Sequence, residues 1–324
     1  MRWLIVSISF FMGPLGPYLF SLRAQADTTI RVGVPASQTS AVPLHIGAQR
    51  DIFPKYGLRV EPIVIANGRT NISALISGNT QFIIGSSPEL FFVGEQGGDI
   101  VGIGCWDNSS PYSLISREKI RSVKELKGKR LAVGGVMDKS HLFLKLLLTE
   151  EGLDPEKDVE IVFVGGSSAR LGLLGAGKID AAPAAPEFGK RAEKLGLYSV
   201  PVAMQYPKGL ITTRKSLLAA NRDIVRSFLR GYMDSVRYLI QNKEGSVQVM
   251  ARVFKLQDRP VLEYAYDVLK NGAVVDLTPT EEGIKNVLRT MAYEDARFSK
   301  IPPWKHFDLT LTKEVRLSAD SRVK

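Results

Sequence analysis

The feature that most restricts how this chain can fold is a set of short motifs that occurs twice, at an offset of close to 100 residues. Gly57-Leu58 and Val60-Glu61 recur as Gly152-Leu153 and Val159-Glu160. Gly78, Gln81 and Ser87-Pro88-Glu89 recur as Gly177, Asp180 and Ala185-Pro186-Glu187. Around each copy, short β-branched runs alternate with segments of helical spacing, the pattern of βαβ units and mainly parallel sheets. Strands are expected at Ile30 to Val34, Leu58 to Ile65, Phe82 to Gly85 and Ile100 to Gly104, then at Leu131 to Val133, Val159 to Val164 and Ile179 to Ala182. Helices are expected between them, at Leu44 to Gln49, Asn71 to Ile76, Leu90 to Glu95, Ser140 to Glu150, Ala169 to Leu174 and Pro186 to Leu195. The reading is of two similar α/β lobes in series.

The joins between the lobes are also visible. A strand from Tyr112 to Ser116 leads from the first lobe to the second, followed by the capping box Ser122-Val123-Lys124-Glu125 and a stop at Gly128. Gly209 to Thr213 reads as the strand that leads back. Beyond residue 215 the pattern is helical, with Ile224, Phe228, Tyr232 and Val236 beside Val225, Leu229 and Met233 forming one apolar stripe. Arg259-Pro260 and Thr278-Pro279-Thr280-Glu281 open further helices, the second with Pro at the first helical position. These helices should cover lobe one, and the last dozen residues read as a loose tail. The expected divisions are a leader at residues 1–26, lobe one at 27–113 and 212–324, and lobe two at 114–211.

Residues 1–26 have the form of a cleaved secretory signal: Arg2 at the start, an apolar run from Trp3 to Phe20 broken by Gly13, Pro14, Gly16 and Pro17, and the small-x-small site Ala24-Gln25-Ala26. Its removal leaves 298 residues and, with Arg2 and Arg23 lost, lowers the formal charge from +10 to +8. The Lys and Arg residues are spread along the chain without interleaved aromatic residues, which argues against a nucleic-acid partner. Cys105, the single cysteine, permits no internal disulfide and lies far from the cleavage site, so it carries no lipid anchor. Stability must come from core burial, for which 44% hydrophobic residues suffice.

Tests for catalytic patterns fail in turn. There is no Walker loop, G-x-S-x-G, H-E-x-x-H or cysteine pair. His45, His141 and His306 sit singly, without the three or four converging ligands a metal needs, and surface or capping roles are expected for them. No cofactor is expected. Small polar residues and glycines instead collect where strands hand over to helices, the points that line the ligand crevice of a doubly wound sheet. In lobe one these are Ser37, Gln38, Asn67, Gly68, Ser86, Ser87 and the stretch from Trp106 to Ser109; in lobe two, Gly134, Gly135, Asp138 to Ser140 and Gly165 to Ser168. Any one of them is also what a helix start prefers for capping. Their repetition on both lobes favours a cleft.

The motifs Tyr56 to Glu61, Ala74 to Gly78, Ser122 to Arg130, Glu151 to Pro155 and Gly177 to Ala182 resemble a known family. It is that of periplasmic substrate-binding proteins of ABC transporters of the nitrate, sulfonate and taurine type, whose fold is shared by thiamine-pyrimidine-binding proteins. The resemblance implies a two-lobed α/β periplasmic-binding-protein fold (type II), with two crossover strands and a C-terminal helical segment packed on lobe one. It implies a periplasmic monomer that binds a small-molecule ligand and meets an ABC transporter permease, and no enzymatic activity. It places the pocket at Ser37, Gln38, Asn67, Ser86, Ser87, Gly135, Ser140, Ser168 and Glu187. Two positions depart from the family: Gln81 stands where an acidic residue is usual, and Val136 to Lys139 replaces a Gly/Ser/Thr-rich helix start, which speaks against a purely dipole-based anion site. An exported receptor that presents its ligand to a sensor, or a lysine-cofactor enzyme of the pyrimidine-synthase kind, are the competing readings.

Glu89 and Glu187 occupy equivalent places in the two halves, each directly after a proline. Two roles stay open for them: compensation of a helix dipole, or a carboxylate facing the cleft, which would repel an anion and favour an amine, amidine or N–H edge. Glu187 is the better candidate by sequence, since Ala181 to Ala185 leave room beside it.

Overall fold

The computed structural model describes residues 28–320 apart from 36–38, 66, 67, 86, 111, 137, 201 and 203; the expected export signal at 1–26 lies outside the described residues. Ten strands form two sheets. The strands are β1 Thr28–Pro35, β2 Leu58–Ile65, β3 Phe82–Ile84, β4 Val101–Cys105, β5 Ser113–Ser116, β6 Arg130–Val133, β7 Glu160–Phe163, β8 Ala181–Ala184, β9 Tyr198–Val200 and β10 Leu210–Thr213. One sheet has the order β2-β1-β3-β10-β4 and the other β7-β6-β8-β5-β9. Matching β1 to β4 with β6 to β9, and β10 with β5, makes the two orders identical. In each, the second strand, β1 or β6, pairs in parallel with its two βαβ neighbours, and the strand that arrives through a crossing, β10 or β5, runs antiparallel to the middle strand. This is the type II two-lobed fold, and the chain crosses between sheets twice, after β4 and after β9.

The duplication extends to single hydrogen bonds. The Gln81 amide N–H donates to the Arg31 carbonyl at 2.9 Å, and the Arg31 N–H donates to Gln81 Oε1 at 2.9 Å. In the second lobe, Asp180 and Arg130 make the same exchange at 2.8 and 2.9 Å. The turn before each is closed by a left-handed glycine, Gly78 at φ 81° and Gly177 at φ 68°, a conformation that costs other residues a Cβ clash. An arginine side chain lies on each glycine, Arg214 on Gly78 and Arg117 on Gly177. Arg117 pairs with Asp180 at 3.6 Å. Gln81 offers no charge to Arg214, whose buried Nε has no hydrogen-bond partner. Gln81→Asp should therefore stabilise the protein by about 0.5 kcal/mol, the scale of a partly exposed ion pair. A lower urea midpoint would show that the Gln81 Nε2 bond to the Gly78 carbonyl is worth more than the pair.

The first sheet is covered by α1 Val42–Gln49, α2 Gly68–Ile76 and α3 Ser87–Glu95; the second by α4 Lys139–Glu150, α5 Ser167–Gly175 and α6 Gly189–Lys194. The rest of the chain is helical: α7 Lys215–Ala220, α8 Arg222–Gln241, α9 Lys243–Phe254, α10 Arg259–Gly272, α11 Glu281–Ala292 and α12 Thr310–Asp320. The apolar stripe read from the sequence is the buried face of α8, where Val225, Phe228, Leu229, Tyr232, Met233 and Val236 join the core of the first sheet. Phe228 stacks on Phe82 of β3 with ring centroids 4.0 Å apart.

Three sequence expectations are corrected. The expected loose tail is ordered as far as residue 320: Leu311 and Val315 are buried, and Glu314 reaches Arg222 and Arg226 of α8. Its charged residues lie on one side of an amphipathic helix, which a count of charge does not reveal. Pro279 precedes the α11 N-cap instead of opening the helix; Thr280 is the cap, accepting the Gly283 N–H at 3.2 Å. The histidines are not at the surface: His45, His141 and His306 are all buried. His306 is held by Glu95 at 2.6 Å.

His45 lies on α1 with its Nε2 unpartnered, and burial pushes its pKa down from 6.5 to about 4. A depressed folded-state pKa means that protonation favours the unfolded chain. The contribution to stability is complete above pH 6.5 and is lost as the pH falls towards 4, by about 3 kcal/mol in all. Burial lowers the His141 pKa as well, so it acts in the same direction. In urea titrations, His45→Gln should remove most of the stability loss across this window; an unchanged slope would assign it to other groups.

Candidate ligand-binding site

The two crossing segments are bonded to each other. Trp106 N–H donates to the Gly209 carbonyl at 3.2 Å, Gly209 N–H to that of Asp107 at 3.0 Å, and Tyr206 N–H to that of Asn108 at 2.9 Å. Asp107, fully buried, pairs with buried Lys208 across the two segments at 2.8 Å. Asn108 binds the Thr278 carbonyl and the Thr280 N–H, which ties this joint to the start of α11. Away from the joint the lobes also touch: Lys145 of α4 reaches Glu294 beyond α11 at 3.0 Å, and Lys194 of α6 pairs with Asp258 at the start of α10. The two lobes thus touch at the joint and along α10 and α11.

On the lobe-two side, one buried arginine organises the strand-to-helix loops. Arg170, in the first turn of α5 and 3% exposed, donates to the carbonyls of Gly165 and Pro183 and to the hydroxyls of Ser140 and Ser167. Ser140 also accepts the Gly134 N–H and donates to Asp138, the α4 N-cap, which accepts the His141 N–H at 2.9 Å. Burial pulls the Arg170 pKa down, and Asp138 opposes this. Arg170→Met should cost about 3 kcal/mol in chemical denaturation, since it orphans buried carbonyls and the Asp138 charge. A loss below 1 kcal/mol would mean that water replaces the guanidinium.

On the lobe-one side, Glu89 sits in the first turn of α3 and folds over the first residue of α2. A side-chain Cβ at Gly68 would come within 1.8 Å of Glu89 Oε1, so a larger residue there would push the carboxylate from its place. Glu89 Oε2 is buried without a hydrogen-bond partner. Glu89 interacts electrostatically with Lys139, the first residue of α4, whose ammonium lies 5.9 Å from the centre of the buried Tyr206 ring. Burial pulls the Lys139 pKa down, Glu89 pulls it back up, Lys208 lowers it and Asp138 raises it. Glu89 also acts on Tyr206, whose phenol burial pushes up.

The sequence-derived candidates divide accordingly. Ser37, Gln38, Asn67 and Ser86 lie outside the described residues, as does the side chain of Glu187, whose backbone is in the 3-10 turn Pro186–Phe188. Gly68 lies beneath Glu89, and Ser140 is fully buried within the Arg170 network. Gly135 is half-buried, with open space where a Cβ would stand. Ser87 is buried and donates to the Pro207 carbonyl at 2.6 Å, so it anchors the return crossing. Trp106 is fully buried: its indole packs in the lobe-one core and donates to the Ser40 carbonyl at 2.7 Å. Ser168 is exposed, and it is Ser167 that turns inward, accepting the Ala185 N–H at 3.2 Å. Sequence reasoning did not single out Lys139 or Arg170, the first lying only within the candidate stretch Asp138 to Ser140; nor did it name Tyr206 or Lys208, whereas Asp107 lay within the stretch Trp106 to Ser109. A signal for the first two was present: a cation in the first turn of a helix opposes the macrodipole.

Two equivalent sheets joined by two mutually bonded crossings define the class of two-lobed binding-protein folds. The chain belongs to the NMT1/THI5-like family, whose model matches residues 38–246. A protein of Brucella abortus (strain 2308) named for binding is 24% identical over 256 residues, covering 76% of this chain and 77% of the relative. Among solved structures, a Bordetella bronchiseptica RB50 protein superimposes with TM-score 0.75 at 17% identity, covering 91% of this chain and 99% of the other. The periplasmic aliphatic sulphonate-binding protein SsuA of Escherichia coli gives TM-score 0.68 at 16% identity, with 88% and 91% covered. The periplasmic nitrate-binding protein NrtA of Synechocystis PCC 6803 gives 0.67 at 16%, with 90% and 89% covered. The family resemblance read from the motifs therefore holds, and at these identities the structural likeness is one of fold.

Proposed function

We propose that this is an exported solute-binding protein that captures a small polar organic molecule between its lobes and delivers it to the permease of an ABC importer. The observation that carries the reading is the pair of crossings bonded to each other below a crevice lined by charge from both lobes. Such a joint lets two rigid sheets close on a ligand about a few backbone positions. The names of the sulphonate- and nitrate-binding neighbours support the reading, as does the leader at residues 1–26. We place lobe one at 27–113 and 212–324, lobe two at 114–211, and the protein in the periplasm as a monomer. Its role is capture and release, with no reaction assigned.

The test is a thermal-shift screen of protein recovered from the periplasm against sulfonates, nitrate, carboxylates, amines and pyrimidines, followed by solution scattering. A ligand at one hundred times its dissociation constant should stabilise the fold by about 2.7 kcal/mol and reduce the radius of gyration. A tight ligand that leaves the scattering curve unchanged would refute the closing joint.

A further inference from the structure

The charges at the joint and at the helix starts beside it are balanced. Glu89, Asp107 and Asp138 are acidic, and Lys139, Arg170 and Lys208 are basic. Four of the six already have partners: Asp107 with Lys208, and Asp138 with Ser140, which Arg170 also holds. Glu89 and Lys139 differ. They come from opposite lobes and act on each other electrostatically, yet form no ion pair, and Glu89 Oε2 is buried without a hydrogen bond. A buried carboxylate oxygen and a desolvated ammonium each cost folding free energy unless something satisfies them. A binding site tolerates that cost because the ligand repays it.

A lone anion fits this pair poorly, because it would meet Lys139 on one side and the Glu89 carboxylate on the other. The start of α4 is already served by Asp138, and that of α2 lies under Glu89, so neither helix end is free to take an anion on its dipole alone. We propose that the solute is dipolar: an N–H-bearing amine, amidine or amide edge turned to Glu89 of lobe one, and an anionic or carbonyl oxygen turned to Lys139 of lobe two. Such a molecule bridges the lobes, and each end stabilises the closed arrangement. This rests on the solute-capture reading above and specifies its ligand class.

The test uses matched probes that differ by the amine: β-alanine against propionate and aminomethylphosphonate against methylphosphonate, with nitrate and ethanesulfonate as plain anions. Calorimetry should show the amine-bearing member of a pair binding at least tenfold more tightly, with Glu89→Gln removing that preference and Lys139→Met weakening the same probe. Without any probe, Glu89→Gln should raise the melting temperature, because it removes a carboxylate whose Oε2 is buried without a hydrogen bond. A lowered melting temperature would mark Glu89 as a structural partner of Lys139 and overturn the proposal whatever binds. If plain anions bind and Glu89→Gln tightens them, the dipolar ligand is wrong while solute capture stands. If no probe binds either protein, solute capture itself fails with these classes.

Discussion

The ion pair between Asp107 and Lys208 is the constraint on which the rest of the molecule depends. It lies where the chain passes from one sheet to the other for the first time and returns for the second, and both side chains are buried. Removing one partner of such a pair costs about 3–5 kcal/mol, because the other is left as an isolated charge out of water. The pair thus favours one mutual placement of the two crossings, and the backbone bonds among Trp106, Asp107, Asn108, Tyr206 and Gly209 follow from that placement. Oxygens of Asp107 also accept from the Ser109 N–H and hydroxyl, at 2.8 and 2.6 Å, which turns the first crossing towards β5. A joint built this way leaves few backbone positions about which the lobes can rotate, as a hinged closure requires.

Much of this is legible in the sequence. The two copies of the motif pattern mark the left-handed glycines and strand starts that must be alike if two sheets share one topology. Gly78 with Gln81 and Gly177 with Asp180 do the same work. Strand and helix positions in the α/β lobes follow from the two periods of side-chain direction, 2.0 and 3.6 residues. The short strand β9 escaped because three residues with one polar member, Tyr198 to Val200, carry too little pattern to register. The ordered C-terminal helix escaped because charge was read as disorder, when its apolar residues Leu311 and Val315 sit four apart and dock on the lobe-one core.

The site was less legible, for a physical reason. Residue types at strand ends say that a loop is there, and small polar residues serve as caps as readily as ligand contacts. Ser87, Ser140 and Trp106 all proved to be engaged inside the protein. What separates a contact from a cap is whether the group has already been satisfied, and that depends on partners far away in sequence. Arg170 meets Pro183 and Ser140, and Lys208 meets Asp107 across about a hundred residues. Only the position of a cation in the first turn of a helix, against the dipole, was a local anomaly that could have marked Lys139 and Arg170.

The halves of the molecule agree in their sheets and differ at the crevice, and that division explains how one duplicated fold can acquire a specific site. The main-chain pattern of each half tolerates little change, since Gln81 and Asp180 must both offer an acceptor to the strand before them. The residues just beyond the strands carry no such duty. Ser87 holds the return crossing, whereas its counterpart Ala185 uses only its backbone N–H, donated to Ser167. In lobe one Glu89 lies over Gly68 at the start of α2, and in lobe two Lys139 at the start of α4 interacts with it electrostatically, while Arg170 is engaged by lobe-two carbonyls and hydroxyls. Under the proposed dipolar binding, an acid on one lobe and a base on the other let a ligand lie between them in one orientation better than in the reverse. The asymmetry that selects a ligand is therefore confined to positions where the repeat places no demand on the fold.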